Sequence, residues 1–262
     1  MNDDSAIKFQ DVSLFYRVFH ERGKSLKGTV ISKLKRRDRF EIFPALRALS
    51  FDIKKGESVA VIGRNGSGKT TLLKLVANIF PPSAGSVTVS GKVAPLLELG
   101  AGFHPDLTGL ENIYLNATLL GLGRKQIAER LQKIIDFSEL GYFIDAPLRH
   151  YSSGMFMRLG FAVAVHVDPE ILLFDEVIAV GDQGFQKKCY DKIMEIREQK
   201  RTLMVVSHVV ETLRTICNRA ILLEEGRMLA FGPLDEIVQR YAALFKKFED
   251  EQKAPQSVQT LF

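Results

Sequence analysis

The chain has 262 residues, of which 46% are hydrophobic and 26% charged, with a net charge of +5. That is the balance of an ordinary globular protein with enough apolar residues for a sizeable core. No apolar run approaches the roughly 18–20 residues of a membrane helix, and Cys189 and Cys217 lie far apart without ligand spacing, which argues against a spanning segment, a metal cluster or a disulfide framework.

Taken in order, Ile7–Tyr16 alternates like a strand. From Arg17 to Arg39, nine Lys/Arg stand against Glu21 and Asp38, a local charge of +7 that exceeds the excess of the whole chain. The remainder is close to neutral, which argues against a broad nucleic-acid face and for one local basic feature. That stretch reads either as a solvated loop with a helical piece, or as a surface for anionic lipid headgroups or a lipid-linked diphosphate. Ala48–Ile53 reads as a strand, and Glu57–Ile62 as a short buried one. Gly63-Arg64-Asn65-Gly66-Ser67-Gly68-Lys69-Thr70-Thr71 follows, then an apolar helix start. Ser86–Val89 and Val93–Leu97 are short strands around a turn at Gly91. Three helical patterns follow, near 109–120, 127–135 and 152–166, and suggest an inserted helical lobe. Ile171–Phe174 is a continuous apolar run, the mark of a strand buried on both faces. A helix over 183–198, a buried strand over 202–206, two weaker strands about Glu225-Gly226 and a helix from about Pro233 complete the pattern. From Lys246 a charged and polar tail is expected. The acidic start, Met1-Asn2-Asp3-Asp4, gives no expectation of a secretory leader.

Four motifs carry chemistry. Gly63–Thr71 fits G-x-x-x-x-G-K-[ST] between a strand and a helix, where backbone N–H groups and the helix start cradle phosphates. Lys69 would reach the β- and γ-phosphates, and Thr70 would bind Mg²⁺. Asp175 and Glu176 end the apolar strand, where an Asp can serve the Mg²⁺ shell and a Glu can act as general base. Alone, that pair also fits a strand end in solvent. Tyr151-Ser152-Ser153-Gly154-Met155 fits an anion-binding helix start or a plain N-cap. Ser207-His208 follows a parallel strand at the edge where ligands bind, although a lone His is more often structural.

In this order the motifs resemble the ATP-binding subunit of ABC transporters, from about Ile7 to about Tyr241. The resemblance implies an α/β, P-loop NTPase fold of the ABC type: a mostly parallel core sheet, an antiparallel β subdomain and an inserted helical lobe. It implies one ATP-binding domain over 1–245, with a core lobe at about 6–100 and 165–245. The helical lobe would be at 101–164, the basic insertion at 17–39 and the polar tail at 246–262. Tyr16 would stack on adenine, and Gly63 to Thr71 (Gly63, Arg64, Asn65, Gly66, Ser67, Gly68, Lys69, Thr70, Thr71) would hold the phosphates. Thr70, Asp175 and Glu98 would serve Mg²⁺, with Glu98 where most relatives have Gln. Ser152, Ser153 and Gly154 match the signature, Asp182 the loop Asp between subunits, Glu176 the catalytic base and His208 the switch His.

The variants Tyr-Ser-Ser-Gly-Met, Ala179-Val180-Gly181-Asp182 and Leu96–Phe103 resemble the subfamily that exports lipid-linked polysaccharides such as O-antigen, capsule and teichoic acid. The resemblance implies an ATPase for an undecaprenyl-diphosphate-linked glycan, using ATP and Mg²⁺. It implies a homodimer, each ATP closed between the phosphate loop of one copy and the signature of the other. A separate transmembrane permease in two copies would be met through Glu98–Asn112; Leu96–Phe103 also reads simply as a glycine-rich hinge. The chain would sit peripherally on the cytoplasmic face of the inner membrane, bind no nucleic acid and lack the carbohydrate-binding domain of some members. Another ABC importer or exporter, or a soluble ATP-switched protein of DNA repair or translation, are the competing readings.

Overall fold

The computed structural model describes residues 4–19, 40–97, 99–175, 181–207 and 209–253. The alternation at the start of the chain forms β1 (Ser5–Phe19), the middle strand of an antiparallel sheet. Its neighbours are β2 (Phe40–Lys54) and β4 (Ala84–Val89). Both β1 and β2 are longer than the sequence pattern shows. Phe15, Val18, Phe40, Ile42 and Phe43 are exposed there, so the buried/exposed rhythm that marks a strand is lost. Pro44 also speaks against a strand, yet β2 is a sheet edge, where a missing N–H is tolerated.

The second sheet has six strands in the order β5-β6-β7-β3-β8-β9. They are β3 (Ser58–Ile62), β5 (Val93–Pro95), β6 (Ile171–Asp175), β7 (Thr202–Val206), β8 (Arg219–Glu224) and β9 (Arg227–Pro233). All pairs are parallel except β8–β9. The turn at Gly91 therefore separates strands of different sheets: β4 pairs with β1, and β5 pairs with β6.

The parallel strands are apolar between their ends because both faces are covered. Ala60, Ile62, Leu172, Phe174, Leu203, Val205, Ala220 and Leu222 pack into one core. The alternate residues, Val59, Val61, Ile171, Leu173, Met204, Val206, Ile221 and Leu223, pack into the other. The second core is shared with the antiparallel sheet and with α1 (Lys69–Val76). The first core is shared with α2 (Gly109–Leu119), α3 (Arg124–Ser138), α4 (Ser153–His166), α5 (Gln183–Glu198), α6 (Val210–Ile216) and α7 (Leu234–Lys253). The three helices between β5 and β6 thus join the core of the sheet.

Local sequence sets the helix ends. Thr108 Oγ1 accepts from Glu111 N–H (3.2 Å) while the Glu111 carboxylate accepts from Thr108 N–H (2.8 Å), a capping box at α2. α4 is buried on nearly every side from Leu159 to Val165. On α5 the spacing of Phe185, Cys189, Ile193 and Ile196 puts all four in the core. Both cysteines are buried, and burial pushes each thiol up to about 12. α7 continues through Lys253, so residues 246–253 extend a helix where a polar tail is expected. Lys, Glu and Gln are good helix formers, and charged or polar side chains do not by themselves end a helix.

Candidate active site

The phosphate loop is built by close backbone packing. A side chain on Gly63 would put its Cβ 2.2 Å from Leu223 O, and one on Gly68 would come within 2.9 Å of Ala45 O. Gly68 also has φ 105°, a conformation only glycine adopts without strain. Gly68 is the N-cap of α1, so the loop leads straight into a helix start. Lys69 is 8% exposed, and its Nζ donates to Gly63 O (2.8 Å) and Arg64 O (2.9 Å). The ammonium is thereby held across the mouth of the loop.

Strand order brings in the acid. β7 lies between β3 and β6, and Asp175 ends β6 level with Val206. From there Asp175 Oδ2 accepts a 2.7 Å hydrogen bond from Thr70 Oγ1. One cavity of about 490 Å³ is lined by Asn65, Gly66, Gly68, Lys69, Thr70 and Thr71, by Asp175, and by Tyr16, Phe43 and Ala45. Ser67 Oγ is buried inside the loop against Gly63 and has no hydrogen-bond partner among the described residues.

This donor set fits a phosphate chain and Mg²⁺. A hydroxyl and a carboxylate are the hard oxygens Mg²⁺ takes, with the remaining positions left to water and phosphate. Among the described residues no group of three His, Cys, Asp or Glu offers an alternative metal cage. Thr70 and Asp175 would hold the ion, which when bound supplies charge neutralisation at phosphate oxygens.

The serine-glycine motif lies elsewhere. Ser152 is the N-cap of α4, and its Oγ accepts from Met155 N–H at 3.2 Å. The preceding Tyr151 is anchored by its hydroxyl, which donates to Phe143 O (2.7 Å), and burial pushes its pKa up to about 12. A second cavity of about 340 Å³ gathers Ser152, Gly154, Met155, Arg158, Gly181 and Asp182. Asp182 caps α5 by accepting from Phe185 N–H (3.0 Å) and pairs with Arg158. That backbone hydrogen bond, with Arg158 beside it, holds its carboxyl below the usual range. Arg158 also pairs with Glu139 (3.2 Å) and lies over the Phe185 ring (4.8 Å).

Tyr16, the loop and Asp175 therefore share one cavity, while Ser152, Gly154 and Asp182 share another; Ser153 is exposed as the first residue of α4. Glu98, Glu176 and His208, and the basic stretch over 20–39, lie outside the described residues. Two residues of the first cavity are new, Phe43 and Ala45; the only sequence signal for Phe43 was an aromatic before Pro44. Arg158 is new in the second, and its signal was a lone cation in an apolar helix.

A mostly parallel sheet, a glycine loop between a buried strand and a helix, and a Thr at that helix start bonded to an Asp at a strand end define a P-loop nucleotide-binding cassette. Solved structures share this fold. A dimeric ATP-binding cassette in a post-hydrolysis state with ADP and Pi superposes with a TM-score of 0.67 at 23% identity, covering 87% of this chain and 98% of that one. The ATP binding subunit of an ABC transporter gives 0.72 at 21%, covering 95% and 100%. The family model described as ABC transporter matches residues 46–179. The O-antigen export system ATP-binding protein RfbB of Klebsiella pneumoniae is 47% identical over 91% of this chain and 98% of its own length. The teichoic acids export ATP-binding protein TagH of Bacillus anthracis is 38% identical over 92% of this chain, which spans 43% of that relative. The chain belongs to the ABC transporter family, and is an ATP hydrolase of that family.

Proposed function

We propose that this chain is the ATPase subunit of an exporter that moves an undecaprenyl-diphosphate-linked polysaccharide across the cytoplasmic membrane. The observation that carries the reading is the 47% identity to an O-antigen export ATP-binding protein across 98% of that protein's length. In this reading Lys69 and the loop N–H groups hold the phosphates, Thr70 and Asp175 serve Mg²⁺, and Tyr16 takes the base. Glu176 is the general base for water, His208 meets the γ-phosphate, and Glu98 lies near the ion. Residues 101–164 act as a helical lobe on a core of about 6–100 and 165–245.

The two cavities support a homodimer. Each copy offers a phosphate cradle in one place and Ser152, Ser153 and Gly154 in another. A second copy, turned by a two-fold axis, brings the missing half to each cradle. Asp182 would lie along that seam. ATPase activity per subunit of the isolated chain should therefore fall on dilution, with half-maximal activity at the dimer dissociation constant measured by ultracentrifugation. Constant specific activity in a preparation shown to be monomeric contradicts the composite site.

Among the described residues no helix is long and apolar enough to cross a membrane, so a separate permease in two copies would span it, with this chain on the cytoplasmic face. Contact through Glu98–Asn112 fits the packing there. Asn112 Nδ2 donates to His104 O, Leu107 O and Thr108 O, and Asn116 Nδ2 to Ala101 O. Phe103 packs edge-on against Phe156 of α4 at 5.2 Å. A push on this loop would reach the signature helix directly. The test is reconstitution with the permease in vesicles: a lipid-diphosphate-linked glycan should raise ATP turnover several-fold over lipid alone. Equal turnover with and without it sinks the export reading.

A further inference from the structure

The cavity at the phosphate loop has a second aromatic side chain in its wall. We infer that Phe43 is a base-positioning residue, which together with Tyr16 makes a two-ring floor for the adenine of ATP. This rests on the nucleotide-site reading above and adds a contact to it.

Tyr16 and Phe43 are direct register partners across β1 and β2. Side chains directly opposite each other leave the same face of a sheet, with Cβ atoms about 4.5–5.5 Å apart. Both rings line the cavity that holds Lys69 and Thr70. The next pair, Arg17 and Ile42, belongs to the opposite face by two-residue alternation. Each ring is placed by its own device. Tyr16 meets the edge of Phe80, with centroids 6.1 Å apart and planes at 83°. Phe43 precedes Pro44, and a residue before proline is confined to extended backbone.

Phe43 thus sits on an extended backbone and is 54% exposed. A phenylalanine left uncovered at the mouth of a polar cavity is an apolar surface waiting for a flat partner. A purine fits, since stacking uses its face and leaves its edges free. Stacking on one aromatic ring typically changes affinity by about 5- to 150-fold on truncation.

The chain contains no tryptophan, so Phe43→Trp supplies a single indole reporter. ATP should quench its emission, inorganic tripolyphosphate should not, and Ile42→Trp on the other face should respond to neither. In parallel, Phe43→Ala should weaken ATP binding about tenfold and raise KM with little change in kcat, leave tripolyphosphate binding unchanged, and be rescued by Phe43→Tyr. ATP bound by Phe43→Ala as tightly as by wild type overturns the inference, as does equal loss of ATP and tripolyphosphate. Lys69→Ala is the separate arm: it should weaken both ligands, and if it weakens neither, the nucleotide-site reading itself has failed.

Discussion

Lys69→Ala will leave the protein folded and lower ATP hydrolysis at least about a hundredfold, the scale of removing one preorganised donor from a charged transition state. The ammonium is nearly buried and already bonded to two carbonyls of its own loop. Its position is thus set before phosphate arrives, which is what makes such a donor effective. Loss of the side chain frees Gly63 O and Arg64 O beside a cavity of about 490 Å³. Water can reach them there, so the cost in stability should stay near ~2 kcal/mol, about 1 kcal/mol net for each of the two hydrogen bonds lost. A thermal melt within a few degrees of wild type, alongside turnover reduced a hundredfold, is the expected pair of results. Turnover within tenfold of wild type would remove Lys69 from phosphate binding.

The parts of this site legible in the sequence are the parts made by neighbours in the chain. Gly63–Thr71 shows itself because strand, loop and helix are contiguous, although the close packing of Gly63 on Leu223 and of Gly68 on Ala45 comes from distant strands. Ile171–Asp175 shows itself because a strand covered on both faces has no polar alternation to hide it. The Thr70–Asp175 bond could be expected only through the motif pair, since it depends on β7 coming between β3 and β6. Phe43 was hidden for a different reason. Its partner Tyr16 lies on the other side of the 20–39 segment, and only the β1–β2 register aligns them. Pro44 and the exposed apolar residues around it masked the strand as well. The Arg158–Asp182 pair was hidden likewise: each residue looks ordinary on its own helix, and the packing of α4 beside α5 makes the contact. Long-range pairing, rather than composition, decides these features.

Two inactive variants should restore one another when mixed. Lys69→Ala disables the phosphate loop of its own copy and leaves Ser152–Gly154 intact. Gly154→Asp does the reverse. The position tolerates a side chain: among the described residues its Cβ would have only Ser152 Oγ within 4 Å, at 3.8 Å. The carboxylate would instead repel phosphate brought by a second copy, so each homodimer should be nearly inactive. In an equimolar mixture about half the dimers are mixed, and each mixed dimer has one intact loop facing one intact signature. If the two sites act independently, activity should return to about a quarter of wild type. Full dependence of one site on the other would give none, and the mixed dimer would then bind one ATP without turnover. Those cases separate by counting ATP bound in the mixture. If Gly154→Asp alone keeps full activity, the second cavity plays no part in hydrolysis, and the phosphate cradle of a single copy is the whole site.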